Sequence, residues 1–297
     1  MSKRVLVIGS NGMLGQTLVN LCTNNNYTIL AASNEETSYI NNIMYIRIDI
    51  SDENQVADLI INTKPEYIIN TAAYTNVDKS ETEKEVAESI NVKGVGYLAK
   101  YANQVSSQLI HISSDYVFDG NNGPYTETDV PNPIGYYGLT KLLGEEIITQ
   151  NTENYTIIRT NVLYGATKYG RPDFVKWVIN SLNDKKKINI VTDQINNPTY
   201  LKDLSGAIIS IIEKNITGLF NIGGKTFLSR YEFTLKIADY FGLDKELITP
   251  ILTEELKQPA ARPLKSGLIT EKANKVFNYN PIEIDESFAE MKEELNL

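Results

Sequence analysis

Short runs of β-branched and aliphatic residues recur through the first half of the chain, and segments with the apolar spacing of amphipathic helices separate most of them. Six runs are predicted to be strands, at 4–9, 27–32, 44–49, 66–70, 108–113 and 155–160. Three segments between strands have helical spacing, at 53–64, 85–105 and 139–150. Strands that alternate with helices predict a parallel sheet covered on both faces, which is the doubly wound, Rossmann-like α/β fold.

Three glycines stand where the first predicted strand meets the first helix, in the stretch VLVIGSNGMLGQTLV. Gly9, Gly12 and Gly15 have G-x-x-G-x-x-G spacing, which differs from the G-x-G-x-x-G dinucleotide pattern. A glycine turn here aims backbone N–H groups and the positive end of a helix at a phosphate. A purely structural turn would use the same glycines, but the position at the first strand–helix junction favours dinucleotide binding.

The alternating pattern loosens after about residue 165. Six prolines divide the C-terminal part into shorter pieces: Pro172, Pro198, Pro250, Pro259, Pro263 and Pro281. A helix is still predicted at 200–214. We therefore expect a dinucleotide-binding domain at 1–164, with a return to it at about 195–222, and a smaller C-terminal lobe formed by 165–194 and 223–297.

Composition limits the class of partner. The 297 residues carry a formal net charge of −9, which argues against nucleic acid because proteins that bind it present a basic surface. The compact basic run at 184–187 is interpreted as a solvated turn. No apolar run approaches the roughly 18 residues of a membrane span. The single cysteine, Cys22, is interpreted as a buried helix residue, and we expect a soluble cytoplasmic protein without a nucleic-acid or membrane partner.

A second informative stretch, NPIGYYGLTKLLGEE, places Tyr137 four residues before Lys141. On a helix the two side chains share one face, and a nearby ammonium lowers the pKa of a tyrosine. A tyrosine tuned in this way can donate a proton to a carbonyl oxygen as hydride reaches the carbon. Tyr136 has Thr140 at the same spacing instead of a cation. An isolated Tyr-x-x-x-Lys pair is more often part of a solvated helix surface, so the pair alone does not identify a reductase.

Two serines, Ser113 and Ser114, lie where the predicted strand at 108–113 ends. Ligands of open α/β sheets gather at the carboxyl ends of strands, so a hydroxyl here is placed to orient a substrate. His111, the only histidine, is interpreted as a satisfied core residue rather than a catalytic base. With one histidine and one cysteine, a zinc site is not expected.

Together these residues resemble the dTDP-4-dehydrorhamnose reductase family of the extended short-chain dehydrogenase/reductase superfamily, over nearly the whole chain. The matching segments, in order, are GSNGMLG (9–15), NTAAYTNVDKSE (70–81), SSDYVFDG (113–120), YGLTKLLGEE (137–146), IIRT (157–160), DQINNPT (193–199) and ARPLKSGL (261–268). The resemblance implies an NADPH-dependent reductase of a nucleotide-linked 4-keto-6-deoxy sugar, in particular dTDP-4-dehydro-L-rhamnose. It also implies a substrate-binding C-terminal lobe and a homodimer.

The resemblance assigns roles residue by residue. The catalytic residues are Ser114, the proton donor Tyr137, and Lys141, which also holds the nicotinamide ribose. The cofactor-binding residues are Gly9, Asn11, Gly12, Met13, Leu14, Gly15, Ser33, Asp49, Ile50, Ala72, Ala73, Tyr74, Tyr137 and Lys141. The substrate-binding residues are Val77, Asp78, Ser114, Tyr116, Val162 and Arg262. No residue is assigned to a metal.

Two positions depart from the family pattern. Val162 stands where many members have a tryptophan against the substrate, so one wall of the sugar pocket is expected to be less bulky. Ser33 closes the second strand, where an acidic residue often binds the adenosine ribose. A carboxylate there would repel a 2′-phosphate, whereas Ser33 and Asn34 can accept one. NADPH is therefore expected, with NADH as the alternative, and the preference is modest because no arginine is expected nearby.

A second hypothesis belongs to another functional class. The β subunit of methionine adenosyltransferase, a non-enzymatic regulatory subunit, resembles the same family and has similar SSDYVFDG and Y-G-x-T-K segments. An intact set of Ser114, Tyr137 and Lys141 therefore does not separate the two hypotheses. The segments at 70–81 and 193–199 favour the reductase.

Overall fold

The computed structural model describes residues 2–25 and 27–295. The strands are β1 Arg4–Ile8, β2 Thr28–Ser33, β3 Met44–Arg47, β4 Tyr67–Asn70, β5 Gln108–Ser114, β6 Tyr155–Thr160, β7 Leu163–Tyr164, β8 Ile188–Val191, β9 Ile195–Asn196, β10 Thr199–Tyr200, β11 Gly218–Asn221, β12 Leu228–Ser229 and β13 Ile248–Ile251. The α-helices are α1 Met13–Asn24, α2 Glu53–Thr63, α3 Val77–Ser80, α4 Lys84–Glu88, α5 Val95–Gln104, α6 Tyr136–Asn151, α7 Phe174–Asn183, α8 Leu201–Lys214, α9 Arg230–Phe241, α10 Glu271–Phe277 and α11 Ile284–Leu295. The outer ends of the predicted domains, residue 1 and residues 296–297, lie outside the described residues.

Seven strands form one parallel sheet in the order β11, β6, β5, β4, β1, β2, β3. Strand β1 lies between β4 and β2, where Val5 is opposite Tyr67 on one side and Ile29 on the other. The strand order reverses at β1, so a crevice opens at the carboxyl ends of the strands. The predicted Rossmann-like α/β fold is confirmed, and each of the six predicted strands is present.

Helices cover both faces of this sheet. Val5 and Val7 of β1 belong to a buried cluster with residues of α1 and α8, whereas Leu6 and Ile8 belong to a second cluster with residues of α2 and α5. Successive strand residues point to opposite faces, so a strand buried on both sides reads as a continuous apolar run. Although β11 and α8 come from the C-terminal half of the chain, they join this sheet and its helical layer. The domain boundaries themselves stay predictions.

The C-terminal lobe has a core of its own. Helices α7, α9 and α11 pack beside the β8–β13 pair, with Val178, Phe233 and Phe288 fully buried in the cluster. Tyr164 joins this core, and its hydroxyl lies 2.8 Å from the Ser287 hydroxyl. The cleft described below lies between this lobe and the large sheet.

Two of the predicted helices have different boundaries in the structure. The segment predicted at 85–105 contains α4, a π-helical turn at Ser89–Gly94, and α5. A Cβ on Gly94 would lie 2.9 Å from the Ile50 carbonyl oxygen, so this turn packs closely against the segment that follows β3. The helix predicted at 139–150 begins three residues earlier, at Tyr136. Gly138, which packs closely on the Tyr116 backbone, adds no apolar side chain to the sequence pattern of this first turn. The earlier start places Tyr137 in the first turn of α6.

The cysteine is buried and the compact basic run is exposed, as the sequence predicted. Cys22 is buried on α1, and burial raises the pKa of its thiol to about 12. The basic run at 184–187 is exposed. No helix among the described residues is long and apolar enough to cross a membrane.

Candidate active site in the cleft between the lobes

The turn after β1 allows a ligand to approach the backbone closely. Gly9 has a φ of +78°, and a Cβ on it would lie 2.7 Å from the Ala72 nitrogen. A Cβ on Gly15 would lie 2.2 Å from the Gly9 carbonyl oxygen, so Gly15 lets α1 pack onto the turn. Gly12 precedes α1 without a side-chain cap, which leaves the N–H groups of the first turn open. These donors and the positive helix end fit a diphosphate.

A cleft of about 790 Å³ extends from this turn across the carboxyl ends of the sheet strands. The predicted site residues that line it are Gly9, Asn11, Gly12, Met13, Leu14, Ser33, Asp49, Ile50, Ala72, Ala73, Val77, Ser114, Tyr116, Tyr137, Lys141 and Val162. Four predicted residues lie outside the lining: Gly15, Tyr74, Asp78 and Arg262. The structure thus brings most of the predicted cofactor, catalytic and substrate positions to one cleft.

Tyr137 projects into the cleft beside Ser114 and Tyr116. The rings of Tyr137 and Tyr116 meet edge to face, with their centroids 5.5 Å apart. Burial raises the pKa of Tyr137 above its ordinary value, and a hydrogen bond with Ser114 opposes this shift only in part. The hydroxyl oxygen of Ser114 also accepts the N–H of Tyr116 at 3.2 Å. Tyr137 is therefore a protonated hydroxyl at neutral pH, placed next to a second hydroxyl.

Lys141 lies one turn after Tyr137 and is buried. Its ammonium donates to the Ile112 carbonyl at 2.7 Å and lies 3.4 Å from Nε2 of His111. Burial lowers the pKa of Lys141 to about 8. The expectation that Lys141 lowers the pKa of Tyr137 is wrong for this arrangement, because the ammonium is directed to the Ile112 carbonyl and desolvation dominates the ionisation of Tyr137.

His111 is the buried core residue that the sequence suggested. Its Nδ1 lies 3.1 Å from Nδ2 of Asn70, whose Oδ1 accepts the Ala72 N–H at 3.1 Å. The Ala72 contact fixes the amide orientation of Asn70, so we assign Nδ1 of His111 as acceptor and Nε2 as the protonated nitrogen facing Lys141. Burial and then Lys141 hold the pKa of His111 well below its usual range. Within the described residues, no group of three or more His, Cys, Asp or Glu could hold a metal ion.

Tyr136, the neighbouring tyrosine, lies outside the cleft lining. Its hydroxyl is 3.5 Å from a carboxylate oxygen of Glu88, and the Lys84 ammonium lies 5.0 Å from its ring centroid. The choice of Tyr137 over Tyr136 therefore agrees with the geometry.

The predicted adenosine side contains charges that the sequence analysis missed. The Ser33 hydroxyl donates to a Glu35 carboxylate oxygen at 2.5 Å, and the Asn11 amide donates to the same oxygen at 3.2 Å. Arg47 lies opposite Ser33 in the β2–β3 register, and its Nε donates to the Asn34 carbonyl at 3.3 Å. The expectation that no arginine lies nearby was wrong, since Arg47 lies beside Ser33. Ser33 does close β2, but the carboxylate of Glu35 accepts from its hydroxyl. Glu35 follows Ser33 by two residues and could have been noticed in the sequence, whereas the position of Arg47 depends on the β2–β3 register.

Three predicted residues outside the lining have partners of their own. Arg262 forms a bidentate pair with Asp78, with NH1 2.6 Å from Oδ1 and NH2 2.7 Å from Oδ2. This pairing lowers the pKa of Asp78. The Tyr74 hydroxyl donates to Glu83, and the Tyr74 N–H donates to Oδ1 of Asn91 at 2.8 Å. In this arrangement these side chains fix the loops around the cleft.

Two arginines of the C-terminal part line the cleft, and the sequence analysis missed both. Arg171 lies in the YGRP segment and Arg230 begins α9. Neither position belongs to a periodic pattern or to a quoted family segment, so no signal marked them in advance. Val162, which also lines the cleft, has a φ of +33°, an uncommon conformation for a β-branched residue that often marks functional sites.

Comparisons with known proteins agree with the fold. The family described as RmlD substrate binding domain matches residues 3–297. A dTDP-4-dehydrorhamnose reductase of Aggregatibacter actinomycetemcomitans is 35% identical over 291 residues, covering 94% of each chain. The crystal structure of the dTDP-4-dehydrorhamnose reductase of Bacillus anthracis in complex with NADP has a TM-score of 0.88 and 31% identity, covering 99% of this chain and 100% of that chain.

A relative of a different functional class matches at a similar level. The methionine adenosyltransferase 2 subunit beta of Bos taurus is 32% identical over 273 residues, covering 90% of this chain and 80% of that protein. Overall identity therefore does not separate the two functional hypotheses. The match across nearly the whole chain does establish the family: this protein belongs to the RmlD substrate binding domain family, with the extended short-chain dehydrogenase/reductase fold.

Proposed function

We propose that this protein reduces the 4-keto group of a nucleotide-linked 4-keto-6-deoxy sugar, and that it converts dTDP-4-dehydro-L-rhamnose into dTDP-L-rhamnose. The observation that carries the proposal is the presence of Ser114, Tyr137 and Lys141 in the same cleft as the glycine turn. The 35% identical relative named dTDP-4-dehydrorhamnose reductase supports the choice of sugar.

The chain's own residues supply the acid and the positioning groups. When bound, a reduced nicotinamide cofactor supplies hydride to the carbonyl carbon. Tyr137 donates its proton to the carbonyl oxygen, and its raised pKa keeps the hydroxyl protonated until that step. Ser114 donates a hydrogen bond to the same oxygen and so holds it beside Tyr137. Lys141, which is charged below about pH 8, holds the nicotinamide ribose.

The cofactor side of the proposal rests on the turn and on the end of β2. The open N–H groups at the start of α1, from Met13 onward, would bind the diphosphate. NADPH is the proposed reductant, with NADH as the alternative, and the NADP complex of the Bacillus anthracis reductase supports this choice. The preference is modest because Arg47, which attracts a 2′-phosphate, is already paired with Glu36 at 2.6 Å, and because Glu35 repels the phosphate.

A second candidate function is regulatory. The 32% identical methionine adenosyltransferase 2 subunit beta supports it, since that protein matches the chain over a similar length. Under this hypothesis the cleft would bind a dinucleotide without turnover, and a separate surface would bind a methionine adenosyltransferase catalytic subunit.

The test measures oxidation of NADPH and of NADH by the purified protein, with dTDP-4-dehydro-L-rhamnose, its UDP and GDP counterparts, and the free keto sugar. We expect turnover with the nucleotide-linked sugars, the dTDP form best, and little with the free sugar, because remote binding energy positions the ketone. Absence of oxidation with every keto sugar, together with co-purification of a methionine adenosyltransferase catalytic subunit, would support the regulatory hypothesis instead.

A further inference from the structure

The cationic side chains of the cleft are few. A nucleotide sugar carries a charged diphosphate, and phosphate oxygens removed from bulk water need cationic or N–H partners. Among the described residues that line the cleft, the lysines and arginines are Lys141, Arg171 and Arg230. One of these three is thus the candidate partner of the substrate diphosphate.

Two of the three lie elsewhere in the cleft. Lys141 is beside Tyr137 at the reaction centre and donates to the Ile112 carbonyl. Arg171 follows Tyr169, whose carbonyl accepts the Gln16 amide at 3.2 Å and whose ring centroid lies 5.8 Å from that of Tyr39. Because Gln16 belongs to α1, Arg171 lies at the glycine-turn end of the cleft, where the cofactor diphosphate is expected.

Arg262, the residue first expected to meet the nucleotide, is already paired. Both terminal nitrogens of its guanidinium bind the Asp78 carboxylate, and NH1 also donates to the Ala260 carbonyl at 2.6 Å. Breaking this pair would leave the Asp78 carboxylate without its cation. Arg262 is thus less available to a diphosphate than an arginine without an ion pair.

The environment of Arg230 differs from that of Arg262. Its guanidinium lies over the Phe174 ring, 4.7 Å from the centroid, and NH1 is buried without a hydrogen-bond partner. No ion pair to Arg230 occurs among residues 2–25 and 27–295. Arg230 shares the cleft lining with Asp115 and Tyr116, which follow Ser114, and its charge acts on both of these residues, so it faces the substrate side of the reaction centre.

The backbone of Arg230 is held firmly. The Ser229 N–H donates to the Glu232 carboxylate at 2.7 Å, and the Glu232 N–H donates to the Ser229 hydroxyl at 3.1 Å, which forms a capping box at the start of α9. The Arg230 N–H donates to the Gln194 carbonyl at 3.0 Å. Capping and ring stacking together preorganise a guanidinium whose donors lack a protein partner, which favours binding of an anion.

We infer that Arg230 binds the diphosphate of the nucleotide sugar and is the main anion-binding side chain on the substrate side of the cleft. This inference rests on the proposed function, because it takes a nucleoside-diphosphate sugar as the substrate. It assigns the diphosphate to α9 of the C-terminal lobe, so the sugar bridges the two lobes when the nucleotide is bound.

The test measures the Kd of dTDP and of thymidine by calorimetry for the wild type, Arg230→Met and Arg230→Lys. We expect Arg230→Met to weaken dTDP binding by about 10- to 100-fold while thymidine affinity is unchanged, since hydrogen bonds to charged groups have this range of energies. Arg230→Lys should recover part of the loss, because it restores the charge without the planar fork. Lys225→Met is the matched control: it removes a positive charge from the same lobe outside the cleft lining and should bind dTDP normally.

The Kd of NADPH in each variant shows whether the fold is intact. If Arg230→Met keeps NADPH affinity and binds dTDP as tightly as the wild type, the inference is overturned while the proposed function stands. If the wild-type protein binds NADPH but none of dTDP, UDP and GDP, the proposed function fails and the inference fails with it.

Discussion

Lys141 illustrates how a buried site sets the charge of one side chain. Its ammonium has the Ile112 carbonyl as acceptor and a protonated His111 nitrogen nearby, a combination that solvates the charge poorly. Burial is the main reason that its pKa falls from 10.5 to about 8. The charge of Lys141 is consequently sensitive to pH just above neutrality.

This environment predicts a pH dependence of cofactor binding. A lowered pKa means that Lys141 is charged below about pH 8 and neutral above it in the free protein, while the anionic cofactor favours the charged form. Fluorescence titration should therefore show NADPH affinity falling as pH rises through about 8. Lys141→Met should remove this dependence, and Lys100→Met, at an exposed lysine, should retain it. An unchanged pH profile in Lys141→Met would show that another group titrates.

The adjacent tyrosines provide a direct test of the acid. Tyr137→Phe removes one hydroxyl and should lower kcat by roughly 10² to 10⁴, because proton donation to the carbonyl oxygen is lost. NADPH affinity should stay close to that of the wild type. Tyr136→Phe is the control, since that hydroxyl lies outside the cleft lining, and its kcat should be nearly unchanged. Near-normal turnover in Tyr137→Phe would refute the assignment.

Glu35 and Arg47 should act in opposite directions on cofactor choice. Glu35→Gln removes a carboxylate from the Ser33 hydroxyl, so the preference for NADPH over NADH should rise several-fold. Arg47→Met removes the nearby cation and should lower the preference. Glu66→Gln, an exposed acid paired with Arg4, is the control. Dissociation constants for both cofactors decide the matter, and a constant ratio across the variants would place the 2′ site elsewhere.

At the scale of elements, the site forms where β1, β5 and α6 meet. The Asn91 amide in the π-helical turn donates to the Tyr74 carbonyl at 3.1 Å and to the Thr140 hydroxyl at 3.0 Å, which ties the loop after β4 to α6. The close packing of the first turn of α1 on the glycine turn depends on Gly15. These contacts hold the proposed catalytic side chains at the carboxyl end of the sheet.

The packing of α1 on the glycine turn can be tested by adding a single methyl group. Gly15→Ala would place a Cβ 2.2 Å from the Gly9 carbonyl oxygen, so we expect a loss of about 1–3 kcal/mol in the free energy of unfolding and weaker NADPH binding. Gly206→Ala on α8 is the control, because no atom lies within 4 Å of its Cβ position. It should be neutral or stabilising by up to about 1 kcal/mol. Equal effects of the two substitutions on denaturant unfolding would contradict this account.

Local patterns allowed the fold and much of the site to be predicted. The strand–helix alternation, the glycine turn and the spacing of Tyr137 and Lys141 are all visible within short windows. The proximity of Arg47 to Ser33 depends on the β2–β3 register, which no short window contains. The contact of Lys141 with the Ile112 carbonyl likewise depends on how α6 packs against β5. The position of Arg230 in the cleft depends on how the C-terminal lobe packs against the large sheet.

At the scale of the whole molecule, the described residues form a buried cluster on each face of the large sheet and a separate core in the C-terminal lobe, and the cleft lies between that lobe and the sheet. The sheet supplies the glycine turn and Ser114, helix α6 supplies Tyr137 and Lys141, and the C-terminal part supplies Arg171 and Arg230. Relatives named dTDP-4-dehydrorhamnose reductase and methionine adenosyltransferase 2 subunit beta match the chain at 35% and 32% identity, so the chemistry of the cleft has to distinguish the two functional hypotheses. The homodimer expected from the resemblance stays a prediction.

The central claim is that hydride passes from the nicotinamide to the sugar in this cleft. The most direct measurement incubates the protein with NADPH carrying deuterium at the transferable position of the nicotinamide and with dTDP-4-dehydro-L-rhamnose, and locates the label by NMR and mass spectrometry. The account predicts one deuterium at C4 of dTDP-L-rhamnose with the wild type, and a rate lowered by roughly 10² to 10⁴ with Tyr137→Phe. An unlabelled and unreduced sugar, from a protein that binds both NADPH and dTDP, would contradict the claim.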